Sequence, residues 1–461
     1  MTARTHDLAR DFNPFVATGV VAAVTSAGVA IEDRLGLLAL GARIEIETTK
    51  GLLVGEVIGV EAGHALALPF QAVDGVRRGA RVNFCPAQQK VSPSPAWLGR
   101  IVNAFGDPVD GLGPLPRGAA SFPTRARPPR AAQRARLGAP LDFGVAAMNA
   151  FTPARAGQRL GVFAAAGLGK SSLLSMIARN TECDIAVIAL IGERGREVRE
   201  FVEDHLGAER LARSVVVVAT SDESALMRRE AAFLAMTLCE YFRDYAVQGA
   251  GPHIEGPHVL CLMDSLTRVA AAQREIGLAA GEPAAARGYP PSVFSLLPQI
   301  LERAGPGRDT PKGARSGAVS GVFSVLVDGD DHDEPVADAC RALLDGHVVL
   351  DRRVAESGRF PAINILKSVS RLSASQIDPR FAELATTARR HESLYEDMRE
   401  MIRIGAYQPG TNAETDDAIA FHGRLEEFLT QSRDHRVSME STGAALEKIL
   451  QAAPVEETVS L

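Results

Sequence analysis

The chain has 461 residues, 46% hydrophobic and 23% charged, with 50 Lys and Arg against 56 Asp and Glu. That length exceeds what one core fills, so two or three packed units are expected, and no stretch reaches the roughly 18 uncharged apolar residues of a membrane span. A formal charge of −6 gives no general attraction to phosphate backbones, which disfavours nucleic acid as a partner.

Residues 1–15 read as an N-terminal tail. Met1 to Pro14 mix charge and apolarity without the apolar core and small-residue cleavage site of a secretory signal, so a cytoplasmic location is expected. Cys85, Cys183, Cys239, Cys261 and Cys340 are odd in number, scattered and free of any C-x-x-C pair, which argues against a disulfide framework or a zinc site. Residues 16–90 carry short apolar runs broken by Gly, with period-two alternation in Arg43-Ile44-Glu45-Ile46-Glu47, the pattern of a small β-barrel or sandwich. Residues 91–140 are rich in Pro and Gly and hold Arg125, Arg127, Arg130, Arg134 and Arg136 between prolines, as suits an extended linker segment; a docking strip is the alternative.

From 141 to 378 the grammar changes to strand, turn and helix. Apolar β-type runs at Arg159–Phe163, Ile185–Ile191, Val215–Ala219, Val259–Met263 and Phe323–Val327 alternate with helical stretches, which predicts an α/β unit with a parallel sheet wrapped by helices. Beyond that, residues 379–461 predict a helical domain, with charged amphipathic helices at Phe381–Ile404 and Thr415–Ser432 followed by a loose tail.

The chemistry-bearing residues lie in the α/β unit. Ala164, Ala165, Ala166, Gly167, Leu168, Gly169, Lys170, Ser171 and Ser172 follow a strand and open a helix, the context that makes a Gly-Lys-Ser match a phosphate loop. The glycines let backbone N–H groups close on phosphate, Lys170 reaches the β/γ-phosphates and Ser171 offers its hydroxyl to Mg²⁺. Ala164 stands where the pattern has Gly, which narrows the allowed backbone. Asp264 ends the apolar run Val259–Met263, where open α/β sheets bind ligands, and is the candidate for the metal shell; a helix N-cap is its bland reading. Glu193, just past Ile185–Ile191, is the candidate for orienting an attacking water, against the bland reading of a solvated turn, and Arg194 beside it is a candidate nucleotide contact. The acidic loop Asp328–Glu334 fails as a calcium loop, because Asp333 and Ala339 occupy the positions that need Gly and Glu; it reads as a solvated loop or a subunit contact.

Together these residues resemble the α/β family of rotary and export ATPases, from about Gly19 to the end of the chain. Gly192-Glu193-Arg194 looks like the family's catalytic-glutamate motif, Asp264-Ser265-Leu266-Thr267-Arg268 like its Mg-site strand end, and the segment from Pro361 to Ser370 like its signature. The resemblance implies a RecA-like phosphate-loop core with a parallel sheet, preceded by a small β-barrel and followed by a helical domain, with ATP and Mg²⁺ bound. It further implies that Arg371 is an arginine finger inserted into a neighbouring subunit's site, and that Phe360 and Tyr407 sandwich adenine. Glu193 separates the chain from the non-catalytic subunits of the family, which carry glutamine there.

The stretches Gly288 to Gly305, Asp328-Gly329-Asp330-Asp331 and Gly405 to Gly410 look most like type III secretion ATPases. Gly106 to Gly111 and the Ala-rich tail resemble the flagellar export branch more than the injectisome branch. This implies a homohexamer, peripheral at the inner face of the cell membrane. A regulatory stalk subunit would sit at the barrel, a central stalk protein and membrane export gate at the helical end, with export substrates and chaperones as cargo. Two rival readings are a rotary synthase catalytic subunit and a ring-shaped RNA or DNA translocase. The translocase barrel should interleave cations with aromatics, whereas residues 16–90 hold only Phe70 and Phe84 as aromatics.

Overall fold

The computed structural model describes residues 17–25, 28–85, 89–244, 256–309, 317–327, 334–372 and 376–451. Its first unit is a closed six-stranded barrel of β1 (Thr18–Thr25), β2 (Gly28–Glu32), β3 (Arg43–Thr48), β4 (Gly51–Glu61), β5 (His64–Pro69) and β6 (Arg81–Phe84), ordered β1-β2-β5-β4-β3-β6. The period-two pattern does what the pleat requires: Ile44 and Ile46 point inward and are fully buried, joining Val21, Val29, Ile31, Val57 and Val82 in a separate core.

The segment expected as an extended connection is tied down at several points. β7 (Lys90–Val91) pairs with β9 (Phe122–Pro123), and between them β8 (Ile101–Val102) adds an edge strand to the central sheet. Trp97 is buried, and its indole N–H donates to the Pro116 carbonyl at 3.0 Å. These apolar pieces are two or three residues long, too short to register as periodicity. Arg125 from the same segment, itself 40% exposed, closes over an ion cluster between barrel and sheet domain whose other members are buried. Its Nη2 lies 2.9 Å from Glu56 of β4 and 2.6 Å from Glu230, and Arg229 reaches Glu56 at 2.6 Å. Arg43 completes the cluster, 3.5 Å from Glu230 and with its guanidinium 4.0 Å from the Phe70 ring centroid.

After a short hairpin of β10 (Pro140–Leu141) and β11 (Ala154–Arg155) come β12 (Arg159–Ala164), β13 (Ile185–Ile191), β14 (Ser214–Ala219), β15 (His258–Asp264), β16 (Gly305–Pro306), β17 (Ala318–Leu326), β18 (Gly346–Leu350) and β19 (Ile363–Ser370). The sheet order is β19-β18-β12-β17-β15-β13-β14-β8, with β16 pairing on β17. All these pairings are parallel except those made by β19 and β16. The central strands are apolar on both faces because helices cover both. β12 and β13 are consecutive in the chain yet separated in the sheet by β17 and β15. That separation opens a crevice at the C-terminal ends of β12, β17 and β15, where such sheets bind ligands.

The last unit is helical, with helices Pro379–Arg403, Ala413–Leu429 and Met439–Gln451. The third corrects the expectation of a loose tail. Thr442 and Leu446 are fully buried, and Ile449 and Leu450 pack on the core, a helical spacing that alanines and small residues had diluted. Among the described residues no helix is long and apolar enough to cross a membrane, and the five cysteines are free. Residues 328–333 of the acidic loop lie outside the described residues.

Candidate active site

The helix Lys170–Asn180 starts directly off the turn that follows β12. Gly167 and Gly169 adopt φ of +82° and +81°, a left-handed conformation that a side chain disfavours and that turns successive N–H groups toward one point. Gly169 is the N-cap and no side-chain hydrogen bond caps this end, so the first-turn N–H groups face the loop. Ala164, Ala165 and Leu168 are buried beneath the turn, while Ala166, Gly167, Ser171 and Ser172 are exposed.

Three of the expected residues converge there. Lys170 Nζ contacts Asp264 Oδ1 and lies 3.6 Å from Glu193 Oε1. Asp264 is the last residue of β15, and Glu193 follows β13, the next strand. The cap of the following helix, Leu266–Ala279, falls on Ser265, whose hydroxyl accepts from the Arg268 N–H. The Asp264 carboxylate is thereby free of the capping role and faces Lys170. The Lys170 and Asp264 side chains are 10% and 7% exposed and Glu193 is 19% exposed. Burial and then the charge of Asp264 push the Glu193 carboxyl above the ordinary range, against the opposing pull of Lys170.

The donor set fits a nucleotide and a hard cation. Two carboxylates share one ammonium, leaving a net negative charge, and the exposed Ser171 hydroxyl stands on the helix's first turn. Elsewhere among the described residues Glu392, His422 and Glu426 bring donor atoms within 4.8 Å of one another. There Arg359 Nε lies 3.0 Å from Glu426 and His422 Nδ1 is 2.8 Å from Glu392, so the charges already have partners.

The remaining candidates stand around or away from this centre. Phe360 is 47% exposed, and its ring lies 3.6 Å from where a Cβ on Gly169 would be. The backbone N–H of Gln431 donates to its carbonyl at 2.9 Å. Tyr407 sits on the turn between the first two C-terminal helices, its hydroxyl 3.0 Å from the Asn412 carbonyl and 2.9 Å from Asp416 Oδ1. Among the described residues no ring contact joins it to Phe360. Arg194 is 70% exposed, 3.7 Å from Glu197.

Arg371 follows β19 and is not brought to its own phosphate loop. Ser370 pairs with Gly346, which pairs with Leu160. Leu160 lies four residues before Ala164, about 13 Å down the strand at ~3.3 Å per residue. The exposed Arg371 guanidinium donates to the Arg341 carbonyl at 2.9 Å. One residue escaped the sequence reading: Ser324, whose hydroxyl donates to Asp264 Oδ1 at 2.6 Å. Its only signal was a hydroxyl interrupting the apolar run Val322-Phe323-Ser324-Val325-Leu326.

Three family models match the chain: the ATP synthase alpha/beta family beta-barrel domain over residues 21–86, the nucleotide-binding domain of that family over 144–370, and the T3SS EscN ATPase C-terminal domain over 377–448. The chain is 51% identical over 443 residues to the flagellum-specific ATP synthase of Caulobacter vibrioides, covering 95% of this chain and 97% of the relative. It is 43% identical to the protein of the same name in Bacillus subtilis, with 86% of each chain covered. It is 41% identical to a type 3 secretion system ATPase of Xanthomonas euvesicatoria, with 88% of each covered. The assembled ATPase EscN from the enteropathogenic E. coli type III secretion system superposes with a TM-score of 0.85 at 37% identity, over 94% of this chain and all of EscN. EscN in complex with its central stalk EscO gives a TM-score of 0.82 at the same identity and coverage.

Proposed function

The chain belongs to the ATP synthase alpha/beta family, and from that premise we propose that it hydrolyses ATP with Mg²⁺ to energise type III protein export for flagellum assembly. The observation that carries the chemistry is the meeting of Lys170, Glu193 and Asp264 beside an uncapped helix start.

In this reading the loop N–H groups and Lys170 bind the β- and γ-phosphates, and Glu193 orients and polarises the attacking water. Ser171 and Asp264 hold Mg²⁺, which supplies charge neutralisation on the transferring phosphoryl group when bound. Lys170 leaves its two carboxylates for phosphate as nucleotide enters, which frees Glu193 to meet water. Phe360, standing over Gly169, stacks on the adenine, with Tyr407 of the helical domain as the second aromatic of the sandwich.

Arg371 serves a neighbouring subunit in a homohexamer. Its distance from its own loop supports that role, because a guanidinium that cannot act in cis completes a site only across an interface. The flagellar branch follows from the share and depth of the identity to flagellum-specific ATP synthases. The barrel then meets a regulatory stalk subunit and the helical domain a central stalk protein, the export gate and cargo with its chaperones, peripheral at the inner face of the cell membrane. The identity to a type 3 secretion system ATPase supports an injectisome role as the second reading; a gene deletion separates the two, abolishing motility in the first case and effector secretion in the second.

ATPase activity against protein concentration for wild type, Glu193→Ala and Arg371→Ala, with a mixing series of wild type and Arg371→Ala, tests the chemistry. Specific activity that climbs cooperatively, vanishes in Glu193→Ala and is poisoned in mixed assemblies supports interface catalysis. Activity independent of concentration with a silent Arg371→Ala refutes it.

A further inference from the structure

β17 runs between β12, which launches the phosphate loop, and β15, which ends on Asp264. Ser324 lies on β17 opposite Val162, with Phe323 opposite Met263, so the register sets its side chain beside Asp264. It is fully buried, and a hydroxyl buried among apolar neighbours persists only where it is hydrogen-bonded. Among the described residues its hydroxyl makes one hydrogen bond, to Asp264 Oδ1 2.6 Å away, the same oxygen that Lys170 contacts. Among the described residues no donor reaches Oδ2.

The two donors differ in kind. Lys170 is a point charge on a flexible stem that phosphate draws away, whereas Ser324 is a short side chain fixed to a central strand. Once Lys170 turns to phosphate, Ser324 is the fixed donor that keeps Asp264 from rotating. We infer that Ser324 is a positioning residue that holds Asp264 Oδ1 throughout the cycle and so presents Oδ2 to the metal shell. This rests on the reading of Asp264 given above.

The test uses the full-length chain as wild type, Ser324→Ala and Ser324→Thr, with a fluorescent non-hydrolysable ATP analogue titrated in EDTA and at rising Mg²⁺. Ser324→Ala is expected to raise the Mg²⁺ concentration at half-saturation by about tenfold, the usual effect of removing an outer hydrogen bond to a metal ligand. Its analogue affinity in EDTA falls far less than its Mg²⁺ response, its thermal midpoint drops only slightly for one lost hydrogen bond, and Ser324→Thr, which keeps the hydroxyl, restores the Mg²⁺ dependence. A Ser324→Ala titration that overlays wild type overturns the inference. So does a loss of affinity equal in EDTA and in Mg²⁺, which marks packing and not positioning. If wild-type binding ignores Mg²⁺ altogether, the assignment of Asp264 fails, and this inference with it.

Discussion

Glu230 is buried to 1% exposure in the ion cluster between barrel and sheet domain. Burial pushes its carboxyl up, but Arg229, Arg125 and Arg43 outweigh that and hold it at about 2, against an ordinary 4.5. A group whose folded-state pKa is depressed adds stability above its unfolded pKa and loses it as pH falls through the folded value. The displacement corresponds to about 3 kcal/mol at pH 7, and by pH 4 about 1 kcal/mol of that is gone. Glu230→Gln leaves three guanidinium groups around the single carboxylate of Glu56, so the full 3 kcal/mol or more is lost at pH 7. Urea unfolding followed by Trp97, the chain's only tryptophan, reads this directly, since the ring is buried in the segment that carries Arg125. Wild type should exceed the variant by about 3 kcal/mol at pH 7, with a gap narrower by about 1 kcal/mol at pH 4. A gap below about 1 kcal/mol at pH 7, or one unchanged at pH 4, would refute the argument.

Three further outcomes follow from the site. Gly169→Ala meets no clash closer than the Phe360 ring at 3.6 Å, so its cost is the left-handed backbone alone, about 1–2 kcal/mol; nucleotide affinity by equilibrium fluorescence should fall by roughly tenfold, and unchanged affinity would show that the loop's N–H cradle is not what binds. Glu193→Gln should lower turnover by roughly 10²–10⁴. Because Glu193's pKa is raised in the folded chain, wild type loses stability relative to the Gln variant as pH climbs from the ordinary carboxylate range through the raised value. Thermal melts without nucleotide at pH 5 and pH 8 should therefore diverge in the variant's favour, and parallel melts would contradict the shift. Phe360→Ala, at a half-exposed ring, should leave folding stability within about 0.5 kcal/mol while weakening adenine nucleotide binding by about 1–3 kcal/mol, measured by titration of ATP against a triphosphate lacking a base.

The parts legible in the sequence are those whose residues are neighbours in the chain. The loop from Ala164 to Ser172 carries its strand, turn and helix start in one stretch, and Asp264 announces itself as the first charge after an apolar strand. The alternation at Arg43 to Glu47 likewise encodes its own inward face, and the barrel follows from it. What could not be read depends on register between distant segments. Ser324 reaches Asp264 because Phe323 sits opposite Met263, a fact of pairing that no window of residues contains. Arg43, Glu56, Arg125 and Glu230 lie far apart in the chain, and only the fold brings them together, with Arg43, Glu56 and Glu230 buried.

Arg371 shows the same limit from the other side. The antiparallel return of β19 carries the end of the signature segment away from the phosphate loop that its beginning adjoins, so Phe360 stands over the chain's own Gly169 while Arg371 faces outward. One strand of eight residues thus gives its two ends different surroundings, the first beside the chain's own phosphate loop and the second at an exposed surface away from it. Under the proposed role of Arg371, the site is completed only by a second copy, and turnover is then expected to depend on the contact between copies. The same strand also returns beside Asp345 and Arg341 at its far end. At its near end the turn that holds Phe360 is tied to the helical domain, the Phe360 carbonyl accepting from the Gln431 N–H at 2.9 Å.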